Sequence, residues 1–521
     1  MKQRFLHLAE PCRQGAALLL FVLISLGVYG AVRQLFSVLP YAGLGIDDAN
    51  IFFVYARNLR EGFGLVYNAG GERVEGFTSP AWVLIGAAAF FFRSPERALL
   101  LFNAGLCSFT LTALGLHLAR VERGGKRGVF VPLGALTMLA WVFTAPEYFS
   151  WCVVSLMETG LWSAALIFCI ITLAGAACGG RVGRVLFPAS LALLLLVRPE
   201  SMAWGAGFVA LYFLLVLLGT GKLRAATRRT ASPALAYLAV LAALISFRLL
   251  YFGFPFPNTY YAKVSPDRLY SLHQGWDYFT AFLETHGWNP WLLAGAAVVA
   301  VGWTLFGAVR ILLRRPLSLN AWDVTAYISA VSVLVGAAIP IWVGGDHFAS
   351  FRFYQPIWPL LPIPLLYLFT RLLYAACRRA EHRVPPAALR TTSAALCLLL
   401  ALVMASSFLR SNSARWDALE KTELHVDFEV AHDGRLFGGI LNRLFEGVPA
   451  PSVGAITAGG FKFVYEGEVI DLMGLNNVAM GHAPGERKGI KNHAAFNKQV
   501  FYQLQPDLLP LVPVTPDVIG A

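Results

Sequence analysis

The sequence predicts an all-α polytopic membrane domain of about 9 to 11 transmembrane helices plus re-entrant pieces, followed by a small C-terminal α/β exported domain. Three observations carry this. The 521 residues are 57% hydrophobic and only 14% charged, with a mean hydropathy of +0.60, a composition dominated by membrane helices. Apolar runs near the roughly 20 residues needed to cross a bilayer recur throughout residues 1–409. From residue 410 onward they stop, and mixed-charge segments with strand and turn signals replace them. The domains are therefore expected at 1–409 and 410–521.

In chain order, the runs cover residues 15–32, 98–117, 128–145, 159–178, 290–309, 324–343, 354–376 and 389–409, with a ninth at 233–252 interrupted by Arg248 near its end. The first lacks a convincing small-residue cleavage site and leads straight into an acidic loop, so it reads as a retained helix. Residues 80–92, and the pair 185–197 and 201–219, are too short or too broken for single spans. They read as half-membrane pieces, which survive only when packed against protein.

Lysine and arginine gather in short connectors: KQRF at 2–5, RVERGGKR at 120–127, RVGR at 181–184, KLRAATRR at 222–229, RILLRR at 310–315 and RRAEHR at 378–383. The positive-inside rule makes these cytoplasmic. One assignment satisfies all of them: a cytoplasmic N-terminus, a hairpin over 185–219, and no crossing at 80–92. The loops holding Asp47, Asp48, Glu147, Glu158, Asp267 to Glu284 and Asp346 then fall outside with the tail. Residues 410–521 hold 10 Lys plus Arg against 13 Asp plus Glu, leaving 32 against 17 for the membrane part. The formal charge of +12 thus belongs to the inner face and not to nucleic-acid binding. The seven cysteines (12, 107, 152, 169, 178, 377 and 397) have no CxxC spacing and imply neither a disulfide frame nor a zinc site. In the tail, 415–445 has helical periodicity, and PSVGAI at 451–456, a helix start at 457–460 and EVIDLM at 468–473 read as strand, helix, strand. The turn ITAGGF is a tight strand-to-helix turn, or a phosphate cradle built from N–H groups. His482 and His493 read as surface residues.

The first outer loop, 41–79, sets Asp47 and Asp48 in GIDDAN before an amphipathic stretch, IFFVYARNLREG, that reads as an interfacial helix. Adjacent carboxylates supply a general base, hold a divalent cation, or cap the following helix. RLLYFGFPFPNTYYAKV at 248–264 offers Lys263 to a lipid phosphate, or lets it snorkel to the interface. In GGDHFASFRF at 344–353, Arg352 can pair bidentately with phosphate, and Asp346 and His347 can share a metal or orient a hydroxyl; an Asp346–Arg352 structural pair is the alternative. Arg198 and Glu200 flank Pro199 at a hairpin apex, where ionisable residues are functional candidates or each other's partners. Glu158 and Glu147 sit at span ends and read as interfacial.

DDANIFFVYARNLREGFGLVYNAGGERVEGFTSPAW, SLMETGLW, LVRPE, PNTYYAKV, GGDHF with FRFYQP, and VIDLMGLNN together resemble the GT-C superfamily of membrane glycosyltransferases. More narrowly, they resemble the family of the mycobacterial terminal arabinofuranosyltransferase. The resemblance runs in order over about 45–477. It implies a GT-C fold in a bacterial inner membrane, with active site and tail on the extracytoplasmic side. It implies transfer of a sugar, a pentofuranose such as arabinofuranose, from a polyprenyl-phosphate donor to an envelope glycan or protein. Asp47 is expected as the base, with Asp48 orienting it or helping to hold a divalent cation. Lys263, Arg352 and Arg198 are the donor-phosphate candidates. Asn258, Tyr260, Tyr261, Asp346, His347, Glu158, Glu200 and Glu75 are the substrate-binding candidates. The competing class is a transporter or flippase of lipid-linked sugars. No internal repeat favours it.

Overall fold

The structure is a computed structural model, described for residues 2–123, 133–380, 402–410, 424–489 and 495–509, with isolated positions between 381 and 423. Among these residues eight helices are long and apolar enough to cross a membrane, and the chain is a multi-pass membrane protein with a small α/β end.

Helix α1 (Lys2–Val38) is continuous through the first apolar run. After a short turn come α2 (Asp47–Arg60) and α3 (Pro80–Ala89). With ten residues α3 is too short to cross, as expected. It starts where Pro80 has no N–H to lose and the Ser79 hydroxyl accepts from the Trp82 N–H at 3.2 Å. The second crossing is α4 (Pro95–Arg123). The run at 128–145 is described only from α5 (Leu133–Phe143) onward. It stops because Pro146 holds Ala145 extended (φ −103°, ψ 104°), and α6 (Pro146–Phe149) then leads through one wide helical turn to the buried α7 (Thr159–Ala177).

The two pieces at 185–219 are longer than half-membrane segments. They form α8 (Arg181–Val197) and α9 (Ser201–Thr220), joined by the three residues Arg198, Pro199 and Glu200. Helix α8 lies so close to α7 that a Cβ on Gly183 would come within 2.4 Å of the Ala176 nitrogen. Such close approach is how small residues drive helix pairing in a lipid environment. Next come α10 (Leu223–Tyr251), α11 (Asn258–Lys263), α12 (Arg268–Thr285), α13 (Asn289–Leu312) and α14 (Ala321–Val343). The run at 354–376 opens as a 3₁₀ helix, Arg352–Leu360, because Pro356 and Pro359 remove α-type donors. It continues as α15 (Pro362–Ala380). Most of the run at 389–409 lies outside the described residues, its last part being α16 (402–410).

In the tail, α17 (Leu424–Leu444) packs on α18 (Gly460–Val464), and the strands β1 (Val453–Ala455) and β2 (Val469–Asp471) pair in parallel with Val453 opposite Val469. The expected order of strand, helix and strand is present. This layer rests on the first loop. Asn68 exchanges two bonds with the Val469 backbone (2.9 and 3.0 Å), Arg57 donates to the Phe463 carbonyl at 2.7 Å, and the Tyr55 hydroxyl donates to Asn476 at 3.1 Å. Under this cover α2 is buried on nearly every side, with Phe53 and Tyr55 among the most enclosed side chains. It is thus a core helix and not the interfacial one that its amphipathicity suggested.

Candidate active site

The helix α2 begins after Ile46, whose side chain caps nothing, so neither aspartate is an N-cap; both lie in the first turn, where the helix dipole favours negative charge. Their neighbours separate them. Asp47 turns toward the tail: its Oδ2 accepts the Gly459 N–H at 3.0 Å and its Oδ1 the Gly460 N–H at 2.7 Å. The ITAGGF turn does cradle an anion, and the anion is this carboxylate. No side chain fits at 459, since a Cβ there would lie 1.8 Å from the Asp47 carbonyl oxygen. Burial raises the Asp47 carboxyl to about 6 despite the two N–H bonds that favour its charge.

Asp48 instead faces a cavity of about 390 Å³. Its Oδ2 lies 3.9 Å from Lys263 Nζ, a long ion pair between partly exposed side chains. The wall draws on the first loop, the α8–α9 turn, the 256–268 segment and the 342–353 segment, which gathers the loops assigned to one face at one end of the helices. Four cations line it (Arg198, Lys263, Arg268, Arg352) against three carboxylates (Asp48, Glu200, Asp346). Between them stand Ile51, Phe52, Phe77, Met157, Met202 and Trp342. Tyr260 and Phe256, each 39% exposed, also belong to the wall.

Two of the cations have strong internal partners. Arg198 forks onto Glu200 with two bonds of 3.0 Å, donates a further short bond to the fully buried Glu158, and stands over Trp162. Arg352 donates from Nε and Nη2 to Asp346 Oδ2, both at 2.8 Å, with its guanidinium 4.3 Å from the Phe348 ring centroid. The structural pairs left open by the sequence are therefore formed. Lys263 is only loosely paired. The exposed Arg268 lies over Trp342 at 5.5 Å and makes no ion pair among the described residues.

Of the residues singled out by sequence, Asp48, Arg198, Glu200, Tyr260, Lys263, Asp346 and Arg352 share this wall; Asp47, Glu75, Glu158, Asn258, Tyr261 and His347 do not line it. Glu75 is buried in an ion pair with Arg248 at 2.8 Å. Asn258 donates to the carbonyls of Gly474, Leu475 and Asn477 at 2.7 to 3.2 Å, clamping the MGLNN turn. Tyr261 and Phe254 both contact His482, each with ring centroids 4.1 Å away. His493 lies outside the described residues. His347 sits 3.3 Å from Asp346, and burial lowers its pKa. Glu147, read as interfacial, is buried.

Two residues of the site escaped the sequence reading. Arg268 sits in no motif; its only signal is a lone cation opening a helix in an outer loop. Asp427 comes from α17 of the tail. Its carboxyl is raised to about 7 by burial and by the nearby charges of Asp48, Asp346 and Asp47, against the opposing pull of Arg352. Among the described residues no group of three His, Cys, Asp or Glu is arranged to hold a metal ion. Both Asp47 oxygens accept backbone N–H groups, and of the two aspartates only Asp48 lines the cavity.

Fold and site together define a multi-pass membrane protein with a charged, partly apolar cavity at one end of its helices and an α/β tail packed on the first loop beside it. No protein-family model matches the sequence, and no curated protein matches it significantly. Among solved structures, the chain is similar to the archaeal oligosaccharyltransferase AglB from Archaeoglobus fulgidus in complex with an inhibitory peptide and a dolichol-phosphate. The identity is 12%, over 88% of this chain and 64% of that one, with a TM-score of 0.48. It is also similar to ArnT from Cupriavidus metallidurans bound to undecaprenyl phosphate, at 13% identity over 85% of each chain and a TM-score of 0.48. The chain spans 64% of the length of the archaeal protein.

Proposed function

We propose that this chain is an integral-membrane glycosyltransferase of the GT-C type. It moves a sugar, a pentofuranose by its sequence resemblance, from a polyprenyl-phosphate donor to an envelope glycan or protein on the outer side of a bacterial inner membrane. The observation that carries the reading is the cavity in which Asp48 shares a wall with Lys263, Arg268 and Arg352 amid apolar side chains. A lipid-linked phosphosugar needs that combination: cations for the phosphate, an acid for the acceptor, and apolar surface for the prenyl chain.

We assign the base to Asp48, because both oxygens of Asp47 are engaged by the tail. Asp48 takes the proton of the acceptor hydroxyl as that oxygen bonds to the anomeric carbon. The bond from that carbon to the phosphate oxygen breaks, and its electron pair leaves on polyprenyl phosphate. Lys263 and Arg268, with the fewest protein partners, meet the phosphate and stabilise the charge it gains. Asp47 is a positioning residue that fixes the first turn of α2 against the tail.

The test is transfer of radiolabelled sugar from a purified lipid donor. Wild-type protein transfers it, and Asp48→Asn loses about 10²- to 10⁴-fold in rate, the usual share of a general base. Movement of donor lipid between leaflets with no transfer would establish the flippase reading instead.

A further inference from the structure

At the end of the helices opposite to the cavity lies a second recess, of about 820 Å³. Arg184 near the start of α8 lies 14 residues from Arg198, about 21 Å along the helix, and Arg228 in α10 is 20 residues from Arg248, about 30 Å. The recess therefore lies at the other end of α8 from the cavity wall and plays no part in the chemistry there.

Its rim carries five cations, Arg184, Lys222, Arg224, Arg228 and Arg229, all exposed. Arg184 donates to the Gly179 carbonyl at 3.3 Å; among the described residues none of the five forms an ion pair with a carboxylate. The floor is apolar, with Phe187 and the buried Tyr212 in edge contact at 5.4 Å beside Pro233. Orientation by the positive-inside rule needs basic residues near the helix ends. It does not need two separate connectors, RVGR and KLRAATRR, to converge around one concave surface. Five like charges repel one another, and an anion between them lowers that cost.

We infer that this recess binds the phosphate headgroup of an anionic phospholipid from the leaflet on the side opposite to the cavity. Headgroup pockets of this kind are basic and lie between helices. A free phosphate offers the same charge, but the flanks favour a lipid. Val182 and Val185 on α8 are 70% and 66% exposed, and Leu235 and Leu238 on α10 are 66% and 56% exposed. Acyl chains attached to the bound phosphate would run along these side chains.

The experiment uses the full-length protein in detergent and in nanodiscs, with phosphatidylglycerol, phosphatidylcholine and inorganic phosphate as separate probes. Native mass spectrometry counts retained lipid, and thermal unfolding reports its effect. Wild-type protein retains phosphatidylglycerol over phosphatidylcholine and melts higher with it. R228Q/R229Q weakens that retention about tenfold or more, while sugar transfer from the lipid donor in phospholipid-free detergent and the unliganded melting temperature stay as in wild type. Equal retention of the two lipids, or a double variant that retains phosphatidylglycerol like wild type, overturns the inference. So does inorganic phosphate reproducing the whole thermal shift at matched concentration, or an acidic protein occupying the recess in place of lipid.

Discussion

Replacing Asp47 by asparagine removes the charge that holds the tail turn while leaving the shape of the side chain nearly unchanged. The carboxylate accepts two backbone N–H groups, at 3.0 and 2.7 Å; an amide accepts one and turns its own NH₂ toward the other. Bonds to a charged acceptor contribute about 1.5–3 kcal/mol each and a neutral one about 1 kcal/mol, so the exchange costs about 2–5 kcal/mol. Part of this is offset. The Asp47 carboxyl is raised to about 6 by burial, and removing a charge held there at a cost relieves about 3 kcal/mol. The net expectation is up to about 2 kcal/mol less favourable seating of the tail turn, or up to about 30-fold faster exchange of the Gly459 and Gly460 amide hydrogens. Hydrogen exchange read by mass spectrometry on peptides spanning 456–464 measures it directly. Asp48→Asn, whose side chain faces the cavity, leaves that exchange unchanged while abolishing transfer. Unaltered exchange in Asp47→Asn, together with a loss of transfer equal to that of Asp48→Asn, would refute this division of roles.

Other expectations follow from single contacts. Glu75→Leu strands the buried Arg248 guanidinium and lowers stability by about 3–5 kcal/mol, whereas adding Arg248→Met recovers much of it; thermal unfolding of both variants decides, and a double variant no better than the single one contradicts the pairing. Lys263→Met raises KM for the lipid donor about tenfold, the effect of losing one phosphate contact, and Lys263→Arg restores most of it; an unchanged KM rules the lysine out as a phosphate ligand. Asp427 is raised to about 7 from about 3.9 in an unfolded chain, so the folded protein holds a proton there that the unfolded one has lost. Stability is then greatest at the acid end, falls as pH rises from about 4 to about 7, and levels above. Melting curves between pH 5 and 8 show that slope, and Asp427→Asn flattens it; an identical slope in the variant excludes Asp427 as its source.

The helical part of the fold was legible because a bilayer imposes one demand, an apolar stretch of fixed length, that is written locally. Where the reading slipped, proline or packing intervened. Pro356 and Pro359 turned the start of the run at 354–376 into a 3₁₀ helix, and the piece at 185–197 proved part of a long helix because Arg181 and its neighbours extend it below the apolar window. The site was legible in its residue types but not in their partners. Glu75, Glu158 and Asn258 look like substrate ligands in a motif, yet each is consumed by a contact made far along the chain: Arg248, Arg198 and the carbonyls of 474–477. Asp427 was silent because nothing around residue 427 announces that α17 will lie over the first loop. Amphipathicity likewise misplaced α2, since a helix with one polar face is read as lying at an interface until the protein that covers that face is known.

The bond from Gly459 to Asp47 joins residues 412 apart in sequence, and this fixes an order of events during biosynthesis. The loop at 41–79 leaves the ribosome early and must wait, with α2 uncovered, until every later helix and the tail have been made. A chain truncated before residue 459 has all the cavity-lining side chains from Asp48 to Phe353 yet lacks Leu475 and the layer that rests on the first loop. The covered state of α2 thus belongs only to chains extended past residue 459, and a tail supplied as a separate polypeptide restores that cover only if it can find the waiting loop before that loop's exposed aromatic surface finds another partner.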